Sequence, residues 1–205
     1  MPAAVISIQK SSPEEAFTRC KDVIAAGGVI AYPTDTYYAL GVDPLNAAAV
    51  RRLYAVKGRS AERPILLLLP DAGEVFRWTE SISVTAEKLM RQFWPGPLTL
   101  VFKAQQDVPA ELAAGTGTIG LRVPGNEVTR SLLRFLGAAI TGTSANRSGE
   151  PDARTAADVN RMLGEHVDLI LDGGTMTAEK PSTIVDVSGQ RPMLIRRGMI
   201  DVSLD

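Results

Sequence analysis

Strand-like and helix-like segments alternate along nearly the whole of this sequence, and glycine or proline punctuates most of the changes between them. That alternation leaves few architectures open, because parallel strands need crossover helices and the helices need a sheet face to cover. Ser12-Pro13-Glu14-Glu15 reads as a helix start: Ser12 can cap, proline suits the first turn, and Glu15 stands three residues after the cap. Gly27-Gly28 stops that helix, and 29–32 reads as a buried strand. A second helix is predicted from about 46 to 56, and Arg63-Pro64 introduces a strand over 65–69. The helix predicted over 84–93 must end at Trp94-Pro95-Gly96-Pro97. Strands over 98–103 and 118–123, a helix over 127–136, a strand over 138–141 and a helix near 155–163 follow. The closing strands, 169–171, 183–187 and 193–195, look hairpin-connected, so the sheet is expected to be mixed. The expected class is α/β (α+β), with residues 1–205 forming a single domain.

The bulk numbers narrow the function by exclusion. A chain of 205 residues with 45% hydrophobic and 22% charged content can bury a core without staples. One cysteine, Cys20, excludes a disulfide framework, and one histidine, His166, argues against the usual His- or Cys-rich metal sites. Any metal is expected to be a hard cation carried in with phosphate. A net charge of −1 provides no global field for nucleic acid, although a local basic patch stays open. Met1-Pro2-Ala3-Ala4-Val5 lacks the features of a signal peptide, and the longest apolar run, 65–69, is far too short to cross a bilayer. A cytoplasmic protein without membrane contact is expected.

Five segments could carry chemistry. Pro33-Thr34-Asp35-Thr36-Tyr37-Tyr38-Ala39-Leu40-Gly41 follows a buried strand, where open α/β sheets bind ligands. It is either a plain turn or a polar cradle for a small substrate. Lys57-Gly58-Arg59, with Arg63 beyond, either complements a helix dipole or clamps the oxygens of a triphosphate. Phe93-Trp94-Pro95-Gly96-Pro97-Leu98-Thr99 reads as a rigid structural turn without chemistry. Arg122 interrupts an otherwise apolar strand, so it must face solvent, a partner or a ligand. Thr141-Gly142-Thr143-Ser144-Ala145-Asn146 leaves a strand on small residues that let a ligand approach the backbone. Finally, Pro181-Ser182-Thr183 and Ile195-Arg196-Arg197 place hydroxyls and an arginine pair on the last hairpin, or simply a charged rim. No serine-nucleophile elbow, P-loop or dinucleotide fingerprint is present. The residues by themselves point to a polar, cation-lined pocket for an anionic ligand.

In this order and spacing, from about residue 28 to residue 198, the five segments resemble the threonylcarbamoyl-AMP synthase family, whose domain is called YrdC-like. The resemblance implies a twisted α/β fold around a concave basic cleft. It implies a reaction in which L-threonine, bicarbonate and ATP give threonylcarbamoyl-AMP and pyrophosphate, with Mg²⁺ carried by the ATP phosphates. Partner enzymes, the threonylcarbamoyl-transferase machinery, then modify adenosine 37 of tRNA, and contact with tRNA or double-stranded RNA is a further possibility. By resemblance Thr34, Thr36, Arg122, Ser144 and Ser182 bind threonine, with Arg122 on its carboxylate. Lys57 and Arg59 hold the triphosphate and act as the catalytic cations, both expected to be exposed in the cleft. Arg63, Thr118, Asn146 and Arg196 complete the nucleotide site.

Four positions depart from the family pattern: Ala39 for glycine, Arg63 for asparagine or lysine, Leu68 for a histidine near threonine, and Arg154 for a threonine near the nucleotide. Tyr37-Tyr38-Ala39-Leu40-Gly41 resembles a sister branch of the fold in which the Lys-x-Arg and Ser-Ala-Asn motifs, intact here, are eroded. With the sequence ending at Asp205, the short form lacking the second domain of longer members is expected. Carbamoylation of the hydrogenase-maturation kind would bring cysteine-rich zinc motifs, which one cysteine cannot supply. The alternative from another class is a non-catalytic RNA- or nucleotide-binding paralogue, although no aromatic-basic interleaving for base stacking is visible.

Overall fold

The computed structural model describes residues 3–58 and 64–204. Arg59 and Arg63 lie outside the described residues. Ten strands form one mixed sheet: β1 (Ala4–Ser7), β2 (Ile30–Tyr32), β3 (Ala39–Gly41), β4 (Leu66–Leu68), β5 (Leu98–Lys103), β6 (Thr118–Arg122), β7 (Ile140–Ser144), β8 (Leu169–Asp172), β9 (Thr183–Asp186) and β10 (Met193–Arg196). Their spatial order is β1-β8-β2-β3-β7-β4-β6-β5-β9-β10. Of the closing strands expected to be hairpin-connected, β9 and β10 do pair antiparallel, whereas β8 lies elsewhere in the sheet, parallel to β1 and β2.

Five helices of useful length flank the sheet: α1 (Pro13–Ala25), α2 (Ala47–Lys57), α4 (Val84–Phe93), α6 (Glu127–Leu136) and α7 (Ala156–Leu163). Two single turns, α3 (Val75–Trp78) and α5 (Ala110–Ala113), fill gaps between them. Their limits follow the capping residues. Ser12, Asn46, Ser83, Asn126 and Thr155 each accept a backbone N–H of the first turn through the side chain. Glycine in the left-handed region (Gly58, φ 56°) ends α2 and leaves Lys57 in its last turn.

The two sheet faces are treated differently. On one, Leu53 of α2, Trp78, Leu89, Leu112, and Val159 and Leu163 of α7 pack against Leu40, Leu67, Leu100, Leu121 and Ile170. On the other, Phe17 and Cys20 of α1 and Leu132 and Leu133 of α6 pack on Ile30, Tyr32, Leu68, Ile140, Leu169 and Leu171. These two helices cover only part of that face. The rest, over β4, β6, β5, β9 and β10, carries Leu66, Gly120, Thr99, Ile184 and Ile195 into an open cavity. Strand alternation makes this possible: Leu98, Leu100 and Phe102 point into the core while Thr99 and Val101 line the cavity. Burial pushes the Cys20 thiol up to about 12, so it serves as core and not as a nucleophile.

Three local expectations are corrected. The strand placed at 138–141 is Ile140–Ser144, so Ser144 belongs to the strand and is not in a loop after it. The segment 39–41, treated as part of a turn or cradle, is strand β3, paired with β2 and β7. An unforeseen strand, β1, adds in parallel to the edge of β8.

Candidate active site

The cavity encloses about 500 Å³ on the uncovered sheet face. Six of the residues singled out by sequence line it: Thr34, Thr36, Arg122, Ser144, Ser182 and Arg196. Apolar walls come from Leu66, Leu68, Val101, Ile184 and Ile195, and Asp152 adds one carboxylate. The floor is low at Gly142, where an added Cβ would stand 2.8 Å from Leu68 Cγ and 3.0 Å from Leu66 Cδ1.

The loop after β2 is held in place by its own hydroxyls. Thr34 Oγ1 lies 3.0 Å from Thr36 Oγ1, donates to the Tyr37 carbonyl at 2.6 Å and accepts the Thr36 N–H at 3.1 Å. Thr129 of α6 donates its hydroxyl to the Pro33 carbonyl. The first half of this segment is a turn, and the turn carries two threonines into the cavity lining.

Arg122 is 4% exposed at the end of β6. Its Nε donates to the Gly96 carbonyl at 3.1 Å, and its Nη2 pairs with Asp35 Oδ1. The Trp-Pro-Gly-Pro turn, to which no chemistry was assigned, thus holds the guanidinium. That turn is tied to the fold by Trp94 Nε1 on the Leu98 carbonyl at 2.7 Å and by Gly96 N on the Val123 carbonyl at 2.9 Å. Opposite, Arg196 donates to the Ser182 carbonyl at 3.1 and 2.9 Å and to Ser182 Oγ at 3.1 Å. Ser182 Oγ in turn lies 3.0 Å from Thr99 Oγ1. Sequence reading included Asp35 only as part of the polar segment 33–41, without its arginine partner, and missed Thr99 and Asp152; the signal for Thr99 was a hydroxyl set inside a run of apolar strand residues.

Lys57 corrects an expectation. It is not exposed in the cleft but only 3% exposed. Its ammonium donates to the Ser144 carbonyl at 2.5 Å, the Asn146 carbonyl at 3.0 Å and Asn146 Oδ1 at 3.1 Å, with Ser144 Oγ at 3.4 Å. Asn146 is buried as well: its Oδ1 accepts from Ser144 Oγ at 2.7 Å and its Nδ2 donates to the Glu150 carbonyl at 2.5 Å. A buried charge requires such partners, and the end of β7 supplies them as carbonyls. Lys57 and Asn146 therefore form a scaffold directly behind Ser144. Thr118 stands on the same side of β6 as Gly120 and Arg122 but outside the cavity lining, its hydroxyl 2.8 Å from that of Thr116.

Comparison with known proteins fits this picture. Residues 22–198 match the Sua5/YciO/YrdC family model, described as "Telomere recombination". A Thiobacillus denitrificans protein named threonylcarbamoyl-AMP synthase is 43% identical over 162 residues, covering 79% of this chain and 86% of that one. A protein of the same name from Pyrococcus abyssi is 31% identical over 194 residues, 95% of this chain, which spans 57% of that longer relative. The structure of Pyrococcus abyssi Sua5 complexed with L-threonine superposes with a TM-score of 0.90 at 30% identity, over 97% of this chain and 58% of that one. Escherichia coli YciO gives a TM-score of 0.86 at 28% identity, with 97% and 96% covered. With the mixed sheet, the cavity and the motifs in one place, the chain belongs to the Sua5/YciO/YrdC family.

Proposed function

We propose that this protein is an L-threonylcarbamoyladenylate synthase, a nucleotidyltransferase that makes threonylcarbamoyl-AMP from L-threonine, bicarbonate and ATP for the modification of adenosine 37 in tRNA. The observation that carries the reading is the convergence of Thr34, Thr36, Arg122, Ser144, Ser182 and Arg196 on one cavity, from segments far apart in sequence. The threonine amine attacks bicarbonate to form a carbamate with loss of water. A carbamate oxygen then attacks the α-phosphorus of ATP as the bond to pyrophosphate breaks.

The protein's share of this chemistry is positioning and charge compensation. Arg122 takes the threonine carboxylate, and the hydroxyls of Thr34, Thr36 and Ser182 orient the rest of the amino acid while the amine stays free. Ser144, stiffened by Lys57 and Asn146, sits between the two substrates, and Arg196 faces the nucleotide. Arg59 and Arg63 follow α2 in sequence and would supply further charge to the triphosphate. Among the described residues no group of three or more His, Cys, Asp or Glu could hold a metal ion, and Asp152 is the one carboxylate in the lining. In this reading Mg²⁺ enters with ATP and would offset charge on the phosphates when bound. Delivery of the product to the transferase machinery, with tRNA or double-stranded RNA near the cleft, and a cytoplasmic location belong to the same proposal. Among the described residues no helix is long and apolar enough to cross a membrane.

The test is pyrophosphate release from ATP and Mg²⁺ by the purified chain, with and without L-threonine and bicarbonate. Release that requires both supports the proposal; release indifferent to threonine, or none while ATP binds, sinks it in favour of a nucleotide-binding paralogue.

A further inference from the structure

We infer that Asp35 is a positioning residue for amino-acid recognition, acting through Arg122 and through the loop that carries Thr34 and Thr36; this rests on the amino-acid reading of the cavity. Thr34 and Thr36 both line the cavity, whereas the residue between them is directed to the guanidinium of Arg122. The pair is poorly accessible, with side chains 4% and 16% exposed. One oxygen, Oδ1, meets Arg122, while Oδ2 is buried and has no hydrogen-bond partner among the described residues. Among the described residues Arg122 is the cation paired with this carboxylate. Buried groups left half-satisfied are uncommon and mark places where something other than stability is served.

The geometry shows what is served. A guanidinium carries five N–H donors in a planar fork. Here one donor is committed to the Gly96 carbonyl and one to Asp35, both on the side of the turn and the loop. Fixing two edges of the plane sets the direction of the remaining donors, and Arg122 lines the cavity. The same ion pair ties the threonine-bearing loop to the end of β6, so the carboxylate-binding group and the hydroxyl-binding groups share one rigid reference. Close packing supports the arrangement: a Cβ added at Gly125 would stand 3.1 Å from Asp35 Oδ2 and 3.5 Å from Asp35 Cβ, so the missing side chain there leaves the carboxylate its place. Two roles for such a carboxylate predict opposite outcomes. As an orienting partner, Asp35 tightens binding of an amino-acid carboxylate. As an internal competitor for Arg122, it weakens it. The second contact to Gly96, the poor access and the shared loop favour orientation.

The experiment compares the parent chain with Asp35→Asn, Asp35→Glu and Gly125→Ala, reading pyrophosphate release and, independently, L-threonine binding by calorimetry. Loss of a charge-assisted partner predicts a rise of at least about tenfold in the KM and Kd for threonine with Asp35→Asn. The KM for ATP and kcat should stay within about threefold, and Asp35→Glu should recover part of the loss. Gly125→Ala, which crowds Oδ2 but keeps the charge, should shift the same constants in the same direction by less, and it carries the test if Asp35→Asn does not fold. An unchanged threonine constant, a tighter one, or equal losses for threonine and ATP would overturn the inference. If the parent releases no pyrophosphate but binds threonine, the proposed function fails and the calorimetric arm still decides the role of Asp35.

Discussion

Lys57 is the residue whose meaning changes most between sequence and structure. A lysine closing a helix next to a glycine and an arginine looks like a mobile phosphate clamp. Instead its ammonium is sealed beneath Ser144 and Asn146, where it gathers two main-chain carbonyls and an amide oxygen. Its replacement should therefore behave as a stability variant as well as a functional one. Lys57→Ala leaves those acceptors without their donor, a loss of about 1–3 kcal/mol. For a chain of this size that corresponds to roughly 2–4 °C in Tm per kcal/mol. Calorimetry should show the drop together with loss of pyrophosphate release; an unchanged Tm would place the ammonium in solvent and refute the buried network. Arg122→Ala should act chiefly on threonine, raising its KM by about tenfold or more with a smaller change for ATP, read by varying each substrate in turn.

Among the elements, α2 is pinned at one side by charge. Arg52 places Nη1 2.6 Å from Asp168 Oδ2 and Nη2 3.0 Å from Asp168 Oδ1, and Asp168 Oδ2 also accepts the Val29 N–H at 2.7 Å. One carboxylate thus joins α2 to the entries of β2 and β8. Burial disfavours its charge, but the Arg52 hydrogen bonds, the Val29 N–H and the arginine's charge outweigh that and hold its carboxyl below the usual range. Because the folded-state value is lowered, the contribution is present above the unfolded value of about 3.9 and fades as pH falls through the lower folded value. Asp168→Asn should lower Tm at neutral pH, and the gap to the parent should narrow in acid. Melting curves from neutral to acid pH check this, and a gap that persists at the lowest pH would contradict the linkage. The side chain is partly exposed, so the effect should be modest and weaker in salt.

At the scale of the molecule, the cavity exists because two helices leave part of one sheet face uncovered and because Gly142 keeps its floor low. Gly142→Ala would bring a methyl to within 2.8 Å of Leu68 and 3.0 Å of Leu66, on a strand hydrogen-bonded to both neighbours. Overpacking of this kind costs about 1–3 kcal/mol. It should lower Tm and raise the KM for threonine together, and a variant with parental values of both would mean the floor is not where the substrate rests. By contrast, Leu67→Ala on the opposite side of β4 removes fully buried core and should cost about 2–5 kcal/mol while leaving the KM values of the surviving folded enzyme near those of the parent.

The sequence by itself determined the alternation of strands and helices, most helix limits and six of the polar residues that line the cavity. These are local matters: a cap bonds within three residues, proline stops a helix where it stands, and period-two burial can be read in a strand of six. The helices 84–93 and 127–136 were legible to the residue for that reason. Tertiary structure alone decided the register of β7, the recruitment of 39–41 as a strand, and the neighbours chosen by Arg122 and Lys57. Asp35 and Arg122 are 87 positions apart, and Lys57 lies 89 from Asn146. Nothing in the local pattern distinguishes a lysine that meets solvent from one whose ammonium is bonded to oxygens at and just beyond the end of a distant strand. Burial and partnership are set by which elements share a face of the sheet, and that depends on the strand order, which no short stretch of sequence encodes.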